Sequence, residues 1–127
     1  MQPVAYKVVN IWRKAHMAPK RYLGEFEQMV LLAALHLKGD AYGVRLTDEI
    51  AERAGREVSR GALYVTFDRL EKKGLIESRY GDANDTRGGR RRRYVQVTAD
   101  GLAALRESRN ALMGLWLGLE AELDGHA

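Results

Sequence analysis

Residues 59–97 read SRGALYVTFDRLEKKGLIESRYGDANDTRGGRRRRYVQV, and the fold turns on this stretch. Ser59 suits a helix N-cap and Gly74 a helix stop, which predicts a helix from about Arg60 to Lys73. At about 100° per residue, Phe67, Leu70 and Gly74 fall within about 40° of Leu63 and make one buried stripe. Gly61, Val65, Asp68 and Lys72 lie near the opposite side, with Tyr64 and Arg69 flanking them. A face of small, polar and basic residues is what a DNA major groove accepts. Leu75 to Tyr80 then reads as a strand, residues 81–91 as a turn by composition, and Arg92 to Val97 as a second strand with Val95 and Val97 on one face. Helix and hairpin together make a reading helix followed by a wing with an arginine-rich tip.

Working upstream, Phe26, Met29, Val30, Leu32, Ala33, Leu35 and Leu37 predict a helix from about Gly24 to Leu37 that is apolar around most of its circumference and deep in the core. Lys38-Gly39-Asp40 ends it, with Asp40 the expected N-cap of a helix over 41–54 that turns Val44, Leu46, Ile50 and Ala51 inward and stops at Gly55. In residues 1–22, Val4, Val8, Ile11 and Ala15 suit a short amphipathic helix, so this part reads as a basic N-terminal arm or accessory helix; Met17 offers a second start. Downstream, Thr98 caps a final helix. Leu102, Leu105, Arg109, Leu112, Trp116, Leu119 and Leu123 are spaced 3-4-3-4-3-4 along it, a heptad seam with one charged interruption.

Three helices, a hairpin and a long helix follow the winged helix-turn-helix plan. The fold class is therefore α+β, mostly α, with a two-stranded wing. Residues 23–97 form the winged-helix domain and 98–127 a C-terminal dimerisation helix, because a helix of about 25 residues outruns a three-helix core and calls for a partner helix.

Charge agrees with this plan. Residues 59–97 hold ten Lys/Arg against five Asp/Glu, and residues 1–22 hold five basic residues and no acidic one, while 23–58 and 98–127 are each net negative. Two basic blocks in an otherwise acidic chain point to a polyanion. The chain has no cysteine, which excludes disulfides and thiolate metal sites, and its three histidines (His16, His36, His126) lack ligand spacing, so neither a metal nor another cofactor is expected. No paired acid/base carboxylates and no Ser/His/Asp order are visible, and Gly88-Gly89 is too short to cradle a phosphate, so the chain is not read as an enzyme. Without an apolar run of about 18 residues or a signal core, the expected location is the cytoplasm, with no membrane partner.

Several motifs carry a family resemblance. Leu23-Gly-Glu-Phe-Glu, Ala41-Tyr-Gly, Gly61-Ala-Leu-Tyr with Arg69-Leu-Glu-Lys-Lys-Gly-Leu-Ile, Gly88-Gly-Arg-Arg-Arg-Arg-Tyr and Thr98-Ala-Asp-Gly, in this order between about Leu23 and Leu105, resemble the PadR family of bacterial transcriptional regulators. The resemblance implies a cytoplasmic homodimer, usually a repressor, that binds a roughly palindromic operator. It departs in one place: many members have proline after the Leu-Tyr pair, where Val65 and Thr66 stand here.

Roles follow as expectations. Ser59 and the first turn of the reading helix hold a phosphate. Arg60, Gly61, Tyr64 and Val65 meet base edges or the groove wall, with Arg69 beside them; Asp68 either accepts from a cytosine amino group or is a surface charge. Tyr64 can pack as core and still present its hydroxyl. Arg87, Arg90, Arg91, Arg92 and Arg93, five arginines in seven positions, reach the phosphate backbone or a narrow minor groove. Leu102, Leu105, Leu112, Trp116 and Leu119 form the dimer seam, and Trp116 is also a weaker candidate to line a pocket for a flat apolar effector. The competing function is a winged helix used only to bind protein, which acidic rather than basic surface on the reading helix or wing would favour.

Overall fold

The helical segments are set by where their apolar residues recur. The computed structural model describes residues 22–82, 86–87 and 90–125, and the N-terminal arm with its amphipathic stretch lies outside them. α1 spans Glu25–Leu37, α2 Gly43–Ala54 and α3 Arg60–Lys72. They meet through Val30 and Leu31 from α1, Leu46 and Ile50 from α2, and Leu63, Phe67 and Leu70 from α3, all buried. α1 is more one-sided than its composition suggests: Val30, Leu31, Ala33 and Ala34 point inward, whereas Leu32 and Leu35 are exposed. The expected N-cap at Asp40 is also displaced. Lys38–Asp40 forms a 3-10 turn, Tyr42 caps α2, and Asp40 instead pairs with Arg45 at 3.2 Å.

The reason lies across the chain. Ala41 accepts a hydrogen bond from the Val95 amide at 2.9 Å, and Tyr42 bridges antiparallel to Tyr94. The segment before α2 is thus held extended against a strand, and the helix starts only after it.

The wing begins with β1, Ile76–Tyr80, and ends with β4, Arg93–Val97, paired antiparallel with Ile76 opposite Val97 and Tyr80 opposite Arg93. Ile76 and Val95 bury their side chains against the helices, as alternation predicts. The stretch read as a plain turn carries a further ladder, β2 (Thr86–Arg87) against β3 (Arg90–Arg91), with Arg87 opposite Arg90. The wing is therefore longer than its two hydrophobic strands.

Two glycines fix how the elements join. Gly74 takes φ 77° after α3, and the Leu75 amide reaches back to the Leu70 carbonyl at 2.9 Å, a left-handed C-terminal closure that favours glycine. Gly101, in the first turn of α4 (Ala99–Trp116), is buried against the start of the wing. A Cβ there would collide with the Leu75 carbonyl oxygen and lie 2.7 Å from Val97 Cγ1. Thr98 completes this joint: its hydroxyl accepts from the Gly101 amide at 3.1 Å and donates to the Gly74 carbonyl at 2.7 Å, while its own amide donates to Leu75 at 3.0 Å.

The long C-terminal helix is present, but it is shorter than its heptad spacing suggests. It ends at Trp116 after 18 residues; Leu117 leaves helical geometry, Gly118 has φ 88°, and a separate short helix α5 covers Glu120–Leu123. The heptad spacing therefore does not describe one rod, and Leu119 and Leu123 lie beyond the break. Leu105 is only 8% exposed and belongs to the core of its own chain, so it is not a free seam residue. Among the described residues, no helix is long and apolar enough to cross a membrane.

Candidate nucleic-acid interface

The first turn of α3 is organised by Ser59, whose hydroxyl accepts from the Ala62 amide at 3.1 Å. Leu63, Thr66, Phe67 and Leu70 face inward, and Thr66 adds a polar member by donating to the Ala62 carbonyl at 2.9 Å. What remains outward is the surface anticipated from the helical projection. Arg60, Gly61 and Arg69 are exposed, a Cβ on Gly61 would meet nothing within 4 Å, and Val65 is 57% exposed. Tyr64 has a double position. Its ring stands edge-on to Phe67 with centroids 5.5 Å apart, yet the residue is 37% exposed and its hydroxyl lies 3.2 Å from where a Cβ on Gly43 would be.

Between α3, the start of α2 and the wing lies an open groove of about 610 Å³, lined by Tyr42, Val44 and Tyr80, by Arg60 and Tyr64 of α3, and by Arg91, Arg92 and Arg93 of the wing. It brings Arg60 and Tyr64 of the reading helix together with Arg91 of the wing. Sequence reasoning missed Tyr42, Val44 and Tyr80 as its walls. Tyr42 stood within the Ala41-Tyr-Gly motif, but only the pairing of Tyr42 with Tyr94 turns it toward the wing.

The wing arginines do not act alike. Arg91 is exposed. Arg92 is partly buried, with its guanidinium 4.4 Å from the ring centroid of Tyr42. Tyr42 in turn packs edge-on against Tyr94 at 5.3 Å, and Arg79 covers the Tyr94 ring at 4.2 Å. This alternation of cations and rings ties the wing base to the start of α2. Arg93 turns inward, against the expectation that it reaches DNA. Its side chain is 11% exposed; Nε donates to Ser78 Oγ at 3.0 Å, and the two terminal nitrogens lie 2.9 Å from Asp68 Oδ1 and 3.6 Å from Glu71 Oε2. Asp68 is thereby engaged as the partner of a wing cation. Arg87 and Arg90 sit across from one another on the β2–β3 ladder.

Behind α3 a second network fixes its far end. Glu27 is buried, accepts from the Gly24 amide at 3.0 Å and pairs with Lys73 Nζ at 2.8 Å. Burial by itself would raise its pKa. The Lys73 hydrogen bond, the Gly24 amide and the charges of Lys73 and Arg69 outweigh that and hold the carboxyl below the usual glutamate range.

On α4, Leu102, Leu112, Met113, Leu115 and Trp116 are exposed, and Leu117 and Leu119 continue the apolar surface past the helix end.

A small helical core that carries a two-stranded wing and a C-terminal helix is a winged helix-turn-helix protein. The profile of the transcriptional regulator PadR-like family matches residues 31–107, and the chain belongs to this family, one of regulators and not of enzymes. Transcriptional regulator Rv3488 of Mycobacterium tuberculosis is 42% identical over 91 residues, covering 69% of this chain and 80% of that protein. An uncharacterised protein of Lysinibacillus sphaericus is 37% identical over 86 residues, 66% of this chain and 74% of its own. Among solved structures, a PadR family transcriptional regulator from Eggerthella lenta shares 26% identity at a TM-score of 0.59, covering 95% of this chain and 97% of that one. One from Clostridium difficile, 23% identical at a TM-score of 0.61 over 79% of this chain and 99% of that one, shares the fold.

Proposed function

We propose that this protein is a sequence-specific double-stranded DNA-binding repressor that acts in the cytoplasm as a homodimer on a roughly palindromic operator. The observation that carries this reading is the open groove that Arg60, Tyr64 and Arg91 share, with the exposed Val65 beside Tyr64 on the same helix. A major groove about 12 Å wide admits one helix, and α3 offers it a face of small and basic side chains. Ser59 and the first turn of α3 meet a phosphate, Gly61, Tyr64 and Val65 the groove wall, and Arg69 the backbone. The wing follows the duplex to the backbone or minor groove with Arg87, Arg90, Arg91 and Arg92.

Dimerisation uses the exposed apolar residues of the C-terminal segment: Leu102, Leu112, Trp116 and Leu119, together with Met113 and Leu115. A two-fold pair would set two reading helices about 34–36 Å apart on successive major grooves. The membership of this chain in a family of transcriptional regulators supports DNA over a protein partner for the basic surface. In-vitro selection from random duplexes, followed by mobility shift on the enriched sites, tests the proposal. Enrichment of an inverted repeat bound by two chains is expected. Absence of affinity for any duplex at low ionic strength would refute it.

A further inference from the structure

Arg93 lines the groove, yet only 11% of its side chain is exposed and its contacts point back into the protein. Its guanidinium is shared by Asp68 and Glu71 on α3, donates to Ser78 on β1, and lies 5.4 Å from the centroid of the Phe67 ring in the core. Asp68 is the more open of the two acids, with 73% of its side-chain surface exposed against 45% for Glu71, and lies one helical turn beyond Tyr64 and Val65. A carboxylate on that face would repel an approaching phosphate backbone. Glu71, one turn further along, would add to the repulsion.

We infer that Arg93 is a positioning residue which masks Asp68 and Glu71 and locks the wing to the reading helix, and that it is not itself a phosphate ligand. The inference rests on the DNA-binding reading above and deepens it. The arginine run then divides by role. Arg91, exposed at the groove, is available to neutralise phosphate, while Arg93 neutralises the protein's own acids. Its forked guanidinium suits this task, because it reaches two carboxylates and a hydroxyl at once from a fixed plane.

Phosphate ligation and internal masking leave different signatures. A cation that displaces counterions from duplex DNA contributes about 0.9 to the slope of log affinity against log salt. A masking cation contributes to affinity but little to that slope, and its effect depends on the acids it covers.

The experiment measures affinity for one duplex from low to moderate salt with the full-length wild type, Arg91→Gln, Arg93→Gln, Asp68→Asn/Glu71→Gln, and the triple variant carrying the last two changes together. Arg91→Gln, which removes one cation from each chain of the proposed dimer, is expected to lower the slope by about 1.8. Arg93→Gln is expected to keep the wild-type slope and weaken binding about tenfold, a size usual for groups sharing one charge network. Neutralising Asp68 and Glu71 should change the wild-type affinity less than about twofold, yet recover most of the loss in the Arg93→Gln background.

A slope reduction for Arg93→Gln equal to that of Arg91→Gln would overturn the inference, as would equal effects of the acid changes in both backgrounds. Thermal unfolding of each variant monitors the fold. If Arg93→Gln unfolds, Arg93→Lys replaces it and keeps one charge without the fork. Partial loss at unchanged slope, recovered by the acid changes, then supports masking, and a wild-type affinity refutes the need for the fork. Failure of the wild type to bind any duplex would strike the DNA-binding reading itself, a result separate from every outcome above.

Discussion

Single side chains in this protein have roles that residue type alone does not assign. Glu27 is acidic and near a helix start, so a surface position would be its ordinary fate. It is buried instead, and it connects the start of α1 to the end of α3 through Lys73. Glu27→Gln should destabilise the fold by about 1–3 kcal/mol at neutral pH, read by urea unfolding. Because the folded carboxyl titrates below its unfolded value of about 4.3, this stabilisation is fully present above that pH. It should fade as pH falls through the folded pKa, so the gap between wild type and variant should narrow in acid. A gap that stays constant down to pH ~2 would show that Glu27 acts through packing and not through its charge.

Gly101 gives a second residue-scale prediction. An alanine there meets a backbone carbonyl that cannot step aside, so Gly101→Ala should cost about 1–3 kcal/mol in the same assay. Gly61→Ala, whose Cβ enters open space within a helix, should instead be neutral or stabilising by up to about 1 kcal/mol.

At the level of elements, legibility followed the range of the forces involved. Most of the buried stripe of α3 could be read directly, since Leu63, Phe67 and Leu70 repeat at helical spacing and Ser59 caps within the same turn, although Gly74 proves exposed past the helix end and the buried Thr66 was not part of the reading. The start of α2 could not, because it is decided by Ala41 and Tyr42 meeting a strand some fifty residues later. The orientation of Arg93 was hidden for the same reason: its partners Asp68 and Glu71 lie on another element. Heptad spacing suggested a longer final helix, but spacing carries no information about the backbone at Gly118.

The wing, taken as an element, should supply most of the salt-dependent affinity. Replacing Arg90 and Arg91 together with alanine, four cations in the proposed dimer, should flatten the salt slope by about 3.6 and weaken binding to all duplexes alike. Gel shifts at several salt concentrations read this. A slope that does not move would take the wing tip out of the DNA contact. Ser59→Ala should cost about 1 kcal/mol of stability through the lost helix cap, measured by thermal unfolding.

On the scale of the whole molecule, the chain divides its surface by chemistry. Basic and aromatic residues gather around the groove, and apolar residues gather along α4 and past its end. Trp116 is half exposed on that apolar side, which the proposed dimer would cover. Leu112→Glu should convert dimers to monomers in sedimentation at micromolar concentration and reduce operator affinity by more than tenfold, since each half-site is then bound alone. A wild type already monomeric under those conditions would remove the symmetric-operator part of the proposal. The two halves of this division were legible separately, the basic one from the charge blocks and the apolar one from the heptad spacing of the final helix. The share of apolar residues that would remain uncovered was not, because Leu105 looks like its neighbours in sequence yet is taken up by the chain's own interior.

The Thr98 joint has a mechanical implication. Three hydrogen bonds and a glycine without clearance leave no slack where the C-terminal rod meets the floor of the reading domain. An 18-residue rod is about 27 Å long, so pivoting it by about 5° sweeps its tip through roughly 2 Å. With the bearing seized, any such tilt between the two rods of the proposed dimer would be transmitted to the spacing of the parts they carry.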